Sequence, residues 1–485
     1  MNVAGLVAAQ ASARGERLAL VDPAAGVRLT WAELDARVTA AASAITSTGL
    51  VAGQRVAILG RNSAAWAIAW YGVLRAGLVA VPVNPQSTSG ELGRVLDHSG
   101  AALLLTDGSV PLPDGRITPT LGLATDWQPG PAVAAPRDPE ALAALLYTAG
   151  TSGRPRAAML THRALLAHCA NAAAVGQLKA DDVLLAVLPL FHVYGLNAVL
   201  DTAAWIGAAC VVGDGLGGDG LGGARSGDVL RDEGVTVLPT SPDGLRLLLQ
   251  RLEPASFASV RLALTGAAPL SEELAAAFTA TTGVVVDEGY GLTEAAPGVA
   301  TTVGGERHGA GHVGRLLPGV EARIDDGLGG PGTDTEPGHL WIRGANLFSG
   351  YWPDGADGPD ADGWYDTGDI GYLADGELYL VDRSRELIIV HGFNVFPSEV
   401  EEVIAELPGV RSVAVVGQPS AASGERVAAF VTGEVTADDV QAHCERRLAR
   451  FKRPAVVTVV DELPRGVTGK TRKGELRRML SELAG

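Results

Sequence analysis

Residues Leu145 to Leu160 read LLYTAGTSGRPRAAML, an apolar run that breaks into glycine and hydroxyl residues and then into two arginines. A loop of this composition turns backbone N–H groups outward and sets hydroxyls and cations beside them. Gly150, Thr151, Ser152, Gly153, Arg154 and Arg156 could therefore form an anion cradle. Neither G-x-G-x-x-G nor G-x-x-x-x-G-K-S/T fits the stretch. Taken alone it reads first as a glycine-rich surface loop, and the rest of the chain decides.

Short β-rich runs recur on both sides of it, among them RVAILG, LVAVPVN, AALLLTD, DVLLAVLPLF, VTVLPT and LALTGAAPL, with helical patterns between them. Such alternation predicts layered α/β subdomains around largely parallel sheets. From about Gly311 to Leu380 the segments GHLWIRG, LFSGYW and GELYLVDR predict short antiparallel strands, a small β-barrel-like unit. Beyond VDRSRE the pattern becomes compact α+β: SEVEEVIAELPG is helical, VRSVAVVG and RVAAFVTG are strands, and TADDVQAHCERRLARF opens as a capped helix. The expected organisation is a large domain over 1–381, a hinge at 382–386 and a small mobile domain over 387–485.

A chain of 485 residues is too long for one ordinary core. Its 38 basic and 55 acidic residues leave a net charge of -17, which argues against a general binder of nucleic acid or anionic membrane. Within Arg446 to Arg478 the balance reverses, with 11 basic and 3 acidic residues, so the small domain is expected to carry a cationic surface. Cys169, Cys210 and Cys444 lack paired or metal-ligand spacing, and a reducing cytoplasm is expected. The N-terminus lacks the basic leader of a signal peptide, and no segment reaches the roughly 18 apolar residues of a membrane span.

Four further stretches gather residues capable of chemistry: PLFHVYGL, DEGYGLTEAAPG, DGWYDTGD and PRGVTGKTRKGELRR. In the second, Tyr290 offers an aromatic face, Gly291 a close-approach backbone, Thr293 a hydroxyl and Glu294 a hard carboxylate. That set suits a purine, a phosphate and Mg²⁺. Asp369 follows a Thr-Gly turn and could accept from vicinal hydroxyls. GVTGKT is no Walker loop, because Pro464 stands where its first glycine belongs. Lys470 is then a lone cation on a glycine-bearing loop.

In order, YTAGTSGRPRAAML, PLFHVYGL, TGAAPL, EGYGLTE, GWYDTGD, DRSRELIIVHGFNVFPSEVEE and LPRGVTGKTRKGELR resemble the signature segments of the acyl-adenylate-forming enzymes over nearly the whole chain. HGFNVFPSEVEE looks most like the fatty acyl-CoA synthetases. The resemblance implies ATP, Mg²⁺ and coenzyme A, and a two-step reaction in which a carboxylate attacks the α-phosphate and a thiol then displaces AMP. It assigns the triphosphate to Thr148, Gly150 to Gly153 and Arg156. Tyr290 would stack on adenine between Gly289 and Gly291, with Gly266, Ala267, Ala268 and Glu288 along the base's edge. Asp369 and Arg383 would hold the ribose, Thr293 the α-phosphate and Glu294 the metal, while Lys470 would bridge carboxylate and α-phosphate. Arg385 takes the hinge position, where Asp or Lys is usual, and Gly392 and Phe393 fall in the thiol tunnel.

His192 stands where amino-acid-activating relatives carry an Asp, and Gly289 where dicarboxylate-activating relatives carry an Arg. A neutral fatty or aryl acid is therefore the expected substrate. Ala149, Arg156 and Ala157 replace the usual Ser, Lys and Gly of the opening loop. Two other outcomes stay open, a ligase that loads an acyl carrier protein and a non-catalytic binder of nucleotide or acyl-AMP.

The position of Lys470, about 85 residues beyond the hinge and apart from HGFNVF, predicts that it serves only the first half-reaction. Lys470→Ala should slow acyl-AMP formation by about a hundredfold or more, the usual scale for losing one preorganised charge contact. Thioester formation from supplied acyl-AMP should persist, and rapid-quench measurement of the two half-reactions checks both statements.

Overall fold

Apolar runs without alternation make strands covered on both faces. Val79–Val83 is buried along its whole length and pairs in parallel with Arg55–Leu59, which pairs in turn with Leu103–Thr106. These strands lie in a six-stranded sheet ordered Thr120–Gly122, Leu103–Thr106, Arg55–Leu59, Val79–Val83, Leu142–Thr148, Arg156–Thr161. The helix Ala64–Arg75 is apolar nearly all round and is buried accordingly, with Trp66 and Trp70 fully covered. Ser63 starts it by accepting from the Trp66 N–H.

The computed structural model describes residues 2–483 apart from 114–117, 129, 131–132, 134–137, 149–155, 214–225, 310, 326–336, 384–385, 387, 391–392, 421–423, 449 and 467–470. The chain packs as two compact units, one formed by Met1–Glu321 with Ile342–Tyr365 and the other by Ala322–Trp341 with Asp366–Gly485. In the first unit a second sheet runs Val27–Thr30, Leu18–Asp22, Ala209–Val212, Val183–Ala186, Val237–Thr240, Leu262–Thr265, Val286–Gly291, Gly298–Thr301, His312–Leu316. Its strands are parallel from Leu18–Asp22 to Val286–Gly291 and antiparallel at both ends. The expected α/β layering is therefore present.

Two local features go beyond the sequence reading. The strand Leu142–Thr148 does not lead into a helix; it returns antiparallel as Arg156–Thr161, with Thr148 opposite Arg156. The glycine-rich loop thus connects the two strands of a hairpin. Tyr194–Asp201 is a π-helix, a form that recurs at functional sites. At its end Asp201 is fully buried, takes the Trp70 Nε1–H at 3.0 Å, and has its carboxyl pushed up to about 7 by burial.

In the second unit the strands Val410–Ser420 and Gly424–Gly433 show why a period of two builds a two-faced sheet. Val415, Val427, Ala429 and Val431 face Val400, Ile404, Val440 and Cys444, from the helices Pro397–Ala405 and Ala437–Arg447. Ala414, Val416, Ala428 and Phe430 face Leu476 and Leu480, from the helix Lys473–Leu483. Thr436 and Asp439 cap Ala437–Arg447 reciprocally, as the sequence predicts. Several cations of the stretch Arg446 to Arg478 are paired within its own unit, among them Arg447 with Glu406, Lys452 with Glu399 at 2.6 Å, and Lys473 with both Glu386 and Glu401 at 2.9 Å.

Phe430 is completely buried at the centre of the Leu476 face. Phe430→Ala should destabilise this unit by about 3–5 kcal/mol, the cost of removing an aromatic ring from a core. Urea unfolding of the full chain, followed by a probe placed in residues 399–470, measures it.

Candidate active site

Open α/β sheets bind ligands beyond the carboxyl ends of their parallel strands. Three strand ends of this sheet lead into the predicted site segments: Val183–Ala186 toward His192 and, one strand further along, the adjacent pair Leu262–Thr265 into Gly266–Ala268 and Val286–Gly291 into Thr293–Glu294.

Gly266 is buried against the ring of Tyr194, and a Cβ there would lie 3.1 Å from both Tyr194 Cε1 and the Gly289 carbonyl oxygen. The exposed Ala267 next to it holds φ at +68°, a left-handed conformation that non-glycine residues seldom adopt. Ala268 is half-buried. Across the sheet Glu288 is 7% exposed, with Oε1 accepting the Leu270 N–H at 3.1 Å and Oε2 facing Arg307 at 3.3 Å. Burial pushes its carboxyl up to about 7, against the opposing pull of the Leu270 N–H and Arg307. Gly289 and Tyr290, both half-buried, lie opposite Thr301 and Ala300 on the next strand.

At Gly291 only a glycine fits, because a Cβ would fall 2.2 Å from the Pro297 carbonyl oxygen. The chain then turns through Thr293–Ala295 and returns as Gly298–Thr301, with Leu292 N–H bonded to Pro297 O at 3.0 Å. This turn presents Thr293, half-buried, and Glu294, 8% exposed. The Tyr351 hydroxyl donates to Glu294 Oε1. A buried carboxylate beside a hydroxyl is the oxygen-donor chemistry that Mg²⁺ takes, with nucleotide phosphates completing its shell. Among the described residues no group of three or more His, Cys, Asp or Glu could hold a metal by itself.

His192 accepts the Tyr194 N–H on Nδ1 at 3.2 Å, and burial lowers its pKa to about 4. It is therefore a neutral imidazole carrying its proton on Nε2. Arg156 pairs with Asp357 at 2.6 Å and lies 3.8 Å over the Tyr351 ring. Ala157 is fully buried in the apolar cluster that includes Leu145 and Val83. In the second unit, the hairpin Tyr365–Ala374 and Glu377–Arg383 sets Asp369 directly opposite Arg383, with Asp369 4% exposed. Thr148 ends its strand half-buried. Gly150, Thr151, Ser152, Gly153, Arg385, Gly392 and Lys470 lie outside the described residues, and Phe393 is described only as part of the short strand Phe393–Val395.

Sequence reasoning passed over Tyr194, Arg307, Tyr351 and Asp357. Tyr351 stood in LFSGYW, where it read as a strand residue, and its partners Arg156 and Glu294 are remote in sequence. No local pattern marks such a contact.

Residues 7–352 match the family model described as AMP-binding enzyme, and residues 399–470 match the AMP-binding enzyme C-terminal domain. The chain is 31% identical to a long-chain-fatty-acid–CoA ligase of Escherichia coli O157:H7, across 93% of this chain and 90% of that protein. It is 32% identical to 4-coumarate–CoA ligase 1 of Oryza sativa subsp. japonica, across 96% and 90%. Among solved structures, ATP-bound MatB from Rhodopseudomonas palustris is similar at a TM-score of 0.89 and 30% identity, with both chains covered completely.

The raised carboxyl of Glu288 has a consequence for stability. Between its ordinary 4.5 and about 7 the folded state holds a proton that the unfolded chain releases, so stability falls as pH rises through that window. Glu288→Gln keeps the shape of the protonated form. It should stabilise the protein above about pH 7, by at most on the order of 3 kcal/mol. Below about pH 4.5 the gain should vanish, and denaturant titrations at the two pH extremes test the sign.

Proposed function

The chain belongs to the AMP-binding enzyme family, and on that premise we propose that it activates a neutral fatty or aryl carboxylic acid through an acyl-adenylate and transfers the acyl group to CoA. It is an AMP-forming acid–CoA ligase that uses ATP. The observation that carries the reading is the placement of His192, Gly266–Ala268, Glu288–Tyr290 and Thr293–Glu294 at or beyond the ends of three strands of one sheet. An adenine-sized ligand, a phosphate and a carboxylate each find their chemistry there.

In the first step a carboxylate oxygen bonds to the α-phosphorus of ATP as the bond to pyrophosphate breaks. The barrier is mainly one of position and charge. Tyr290 supplies the stacking face for the base, and the Gly266–Ala268 backbone and Glu288 supply its polar edge. Asp369 and Arg383, side by side on their hairpin, take the ribose hydroxyls. Thr293 donates to the α-phosphate, and Thr148, the loop that follows it and Arg156 receive the triphosphate. Glu294 would hold Mg²⁺, whose charge offsets that of the phosphates when it is bound. Lys470 would bridge the two anionic reactants. In the second step the CoA thiolate bonds to the acyl carbon and AMP leaves, with Gly392 and Phe393 lining the thiol's approach after rotation at Arg385. His192, neutral and lacking a carboxylate's charge, faces an uncharged acyl group without attracting an amine.

Among the described residues no helix is long and apolar enough to cross a membrane. The three cysteines are free and buried, which suits the reducing cytoplasm we assign to the protein.

Pyrophosphate release measured across a panel of carboxylic acids, with and without CoA, tests the assignment. Fatty or aryl acids should release pyrophosphate, amino acids and dicarboxylates should release little, and acyl thioester should form only when CoA is added. Transfer to an acyl carrier protein but not to CoA would redirect the second step, and silence with every acid would favour the non-catalytic alternative.

A further inference from the structure

The segment Asn346–Trp352 touches both the Glu294 turn and the strand that follows the glycine-rich loop. On one side, Asn346 Nδ2 donates to Ala295 O at 2.7 Å and to Gly298 O at 2.9 Å, and Phe348 N–H donates to Glu294 O at 2.9 Å. On the other, Ser349 N–H bonds to Met159 O, Met159 N–H to Gly350 O and Trp352 N–H to Ala157 O, all within 3.0 Å. Tyr351 stands between these two sets of bonds. Its ring packs edge-on against Phe348 at 5.1 Å and is covered on a face by the Arg156 guanidinium, which Asp357 holds in turn. The next residue, Trp352, is tied by Nε1 to His98 O at 2.9 Å. The ring has little freedom, and its hydroxyl points at Glu294 Oε1.

We propose that Tyr351 is a positioning residue for Glu294: its hydroxyl holds Oε1 and thereby fixes Oε2 as the oxygen offered to a Mg²⁺–nucleotide complex. The inference rests on the reading of Glu294 as the metal carboxylate. An ionised carboxylate has no proton to give, so in this pair the Tyr351 hydroxyl is the donor and Glu294 Oε1 the acceptor. Glu294 Oε2 takes no hydrogen bond from the described residues. A carboxylate with one oxygen occupied loses less rotational freedom when the other binds a cation. Hydrogen-bond partners of metal ligands commonly tune affinity by about 10–100-fold in this way.

The test is the Mg²⁺ concentration that half-saturates ATP binding, read by calorimetry on the full-length protein without any carboxylic acid, so that no turnover occurs. Tyr351→Phe keeps the ring, its Phe348 contact and its cover by Arg156. It should raise the Mg²⁺ requirement about tenfold with the melting temperature nearly unchanged. Glu294→Gln should raise it further, and adding Tyr351→Phe to Glu294→Gln should change nothing more. An unchanged requirement in Tyr351→Phe alongside a large rise in Glu294→Gln would overturn the positioning role while leaving the metal assignment standing. An equal shift from Tyr351→Phe in both backgrounds would also overturn it, by showing that Tyr351 acts through something other than Glu294. If Glu294→Gln itself left the Mg²⁺ requirement unchanged, the metal assignment would fall and the inference with it.

Discussion

One buried amide holds the Thr293–Ala295 turn in shape. Asn346 is fully buried, and its two N–H groups reach the carbonyls of Ala295 and Gly298, which the tight turn would otherwise leave without strand partners. The two limbs of the turn come so close at Gly291 and Pro297 that no side chain fits between them. Closure by glycine and satisfaction by Asn346 are two halves of one constraint. Together they fix the backbone from which Tyr290, Thr293 and Glu294 project. Loss of the amide would expose the turn to the cost of unpaired carbonyls, and the carboxylate would move with it.

The charge distribution follows from the same economy of buried groups. A chain with a net charge of -17 must admit a polyanion, and the field of the whole molecule opposes that. Within the first unit the opposition is blunted by pairing. Glu288 is raised to about 7 and faces Arg307, Arg156 is matched by Asp357, and His192 is neutral. The described part of the site therefore presents dipoles, hydroxyls and paired charges more than net charge. Such groups need little rearrangement when charge shifts during reaction, which is the condition for electrostatic stabilisation at low cost.

Elements that depend on local periodicity were legible in the sequence. The parallel strands appeared as unbroken apolar runs, and VRSVAVVG and RVAAFVTG were legible as strands, while the covering of both their faces is seen only in the packing. Site segments such as TGAAPL and EGYGLTE were legible as strand ends followed by glycine, and the structure places them beyond neighbouring strands. What stayed hidden is tertiary pairing. The hairpin after Thr148 could not be told from a strand-to-helix turn, because RAAML suits either strand or helix. The π-helix Tyr194–Asp201, with Asn197 and Asp201 fully buried, is announced by no residue pattern. Tyr351 reaches Arg156 and Glu294 across long stretches of chain, and an isolated tyrosine in a short strand gives no hint of either.

The departures from the family pattern in the opening loop acquire a physical meaning from the same contacts. Strand alternation turns Ala157 inward and Arg156 outward. The Ala157 methyl fills an apolar cluster rather than pressing on a ligand, so its presence supports the hairpin. Arg156 lays a planar cation on the Tyr351 ring while its fork reaches Asp357, two contacts at once that the compact ammonium of a lysine would match poorly. The substitution therefore exchanges a mobile charge for a fixed one. Asp357, with φ at +53°, accepts an uncommon backbone conformation at the other end of that pair. A cation committed to packing in this way offers less to an approaching anion than a free one would.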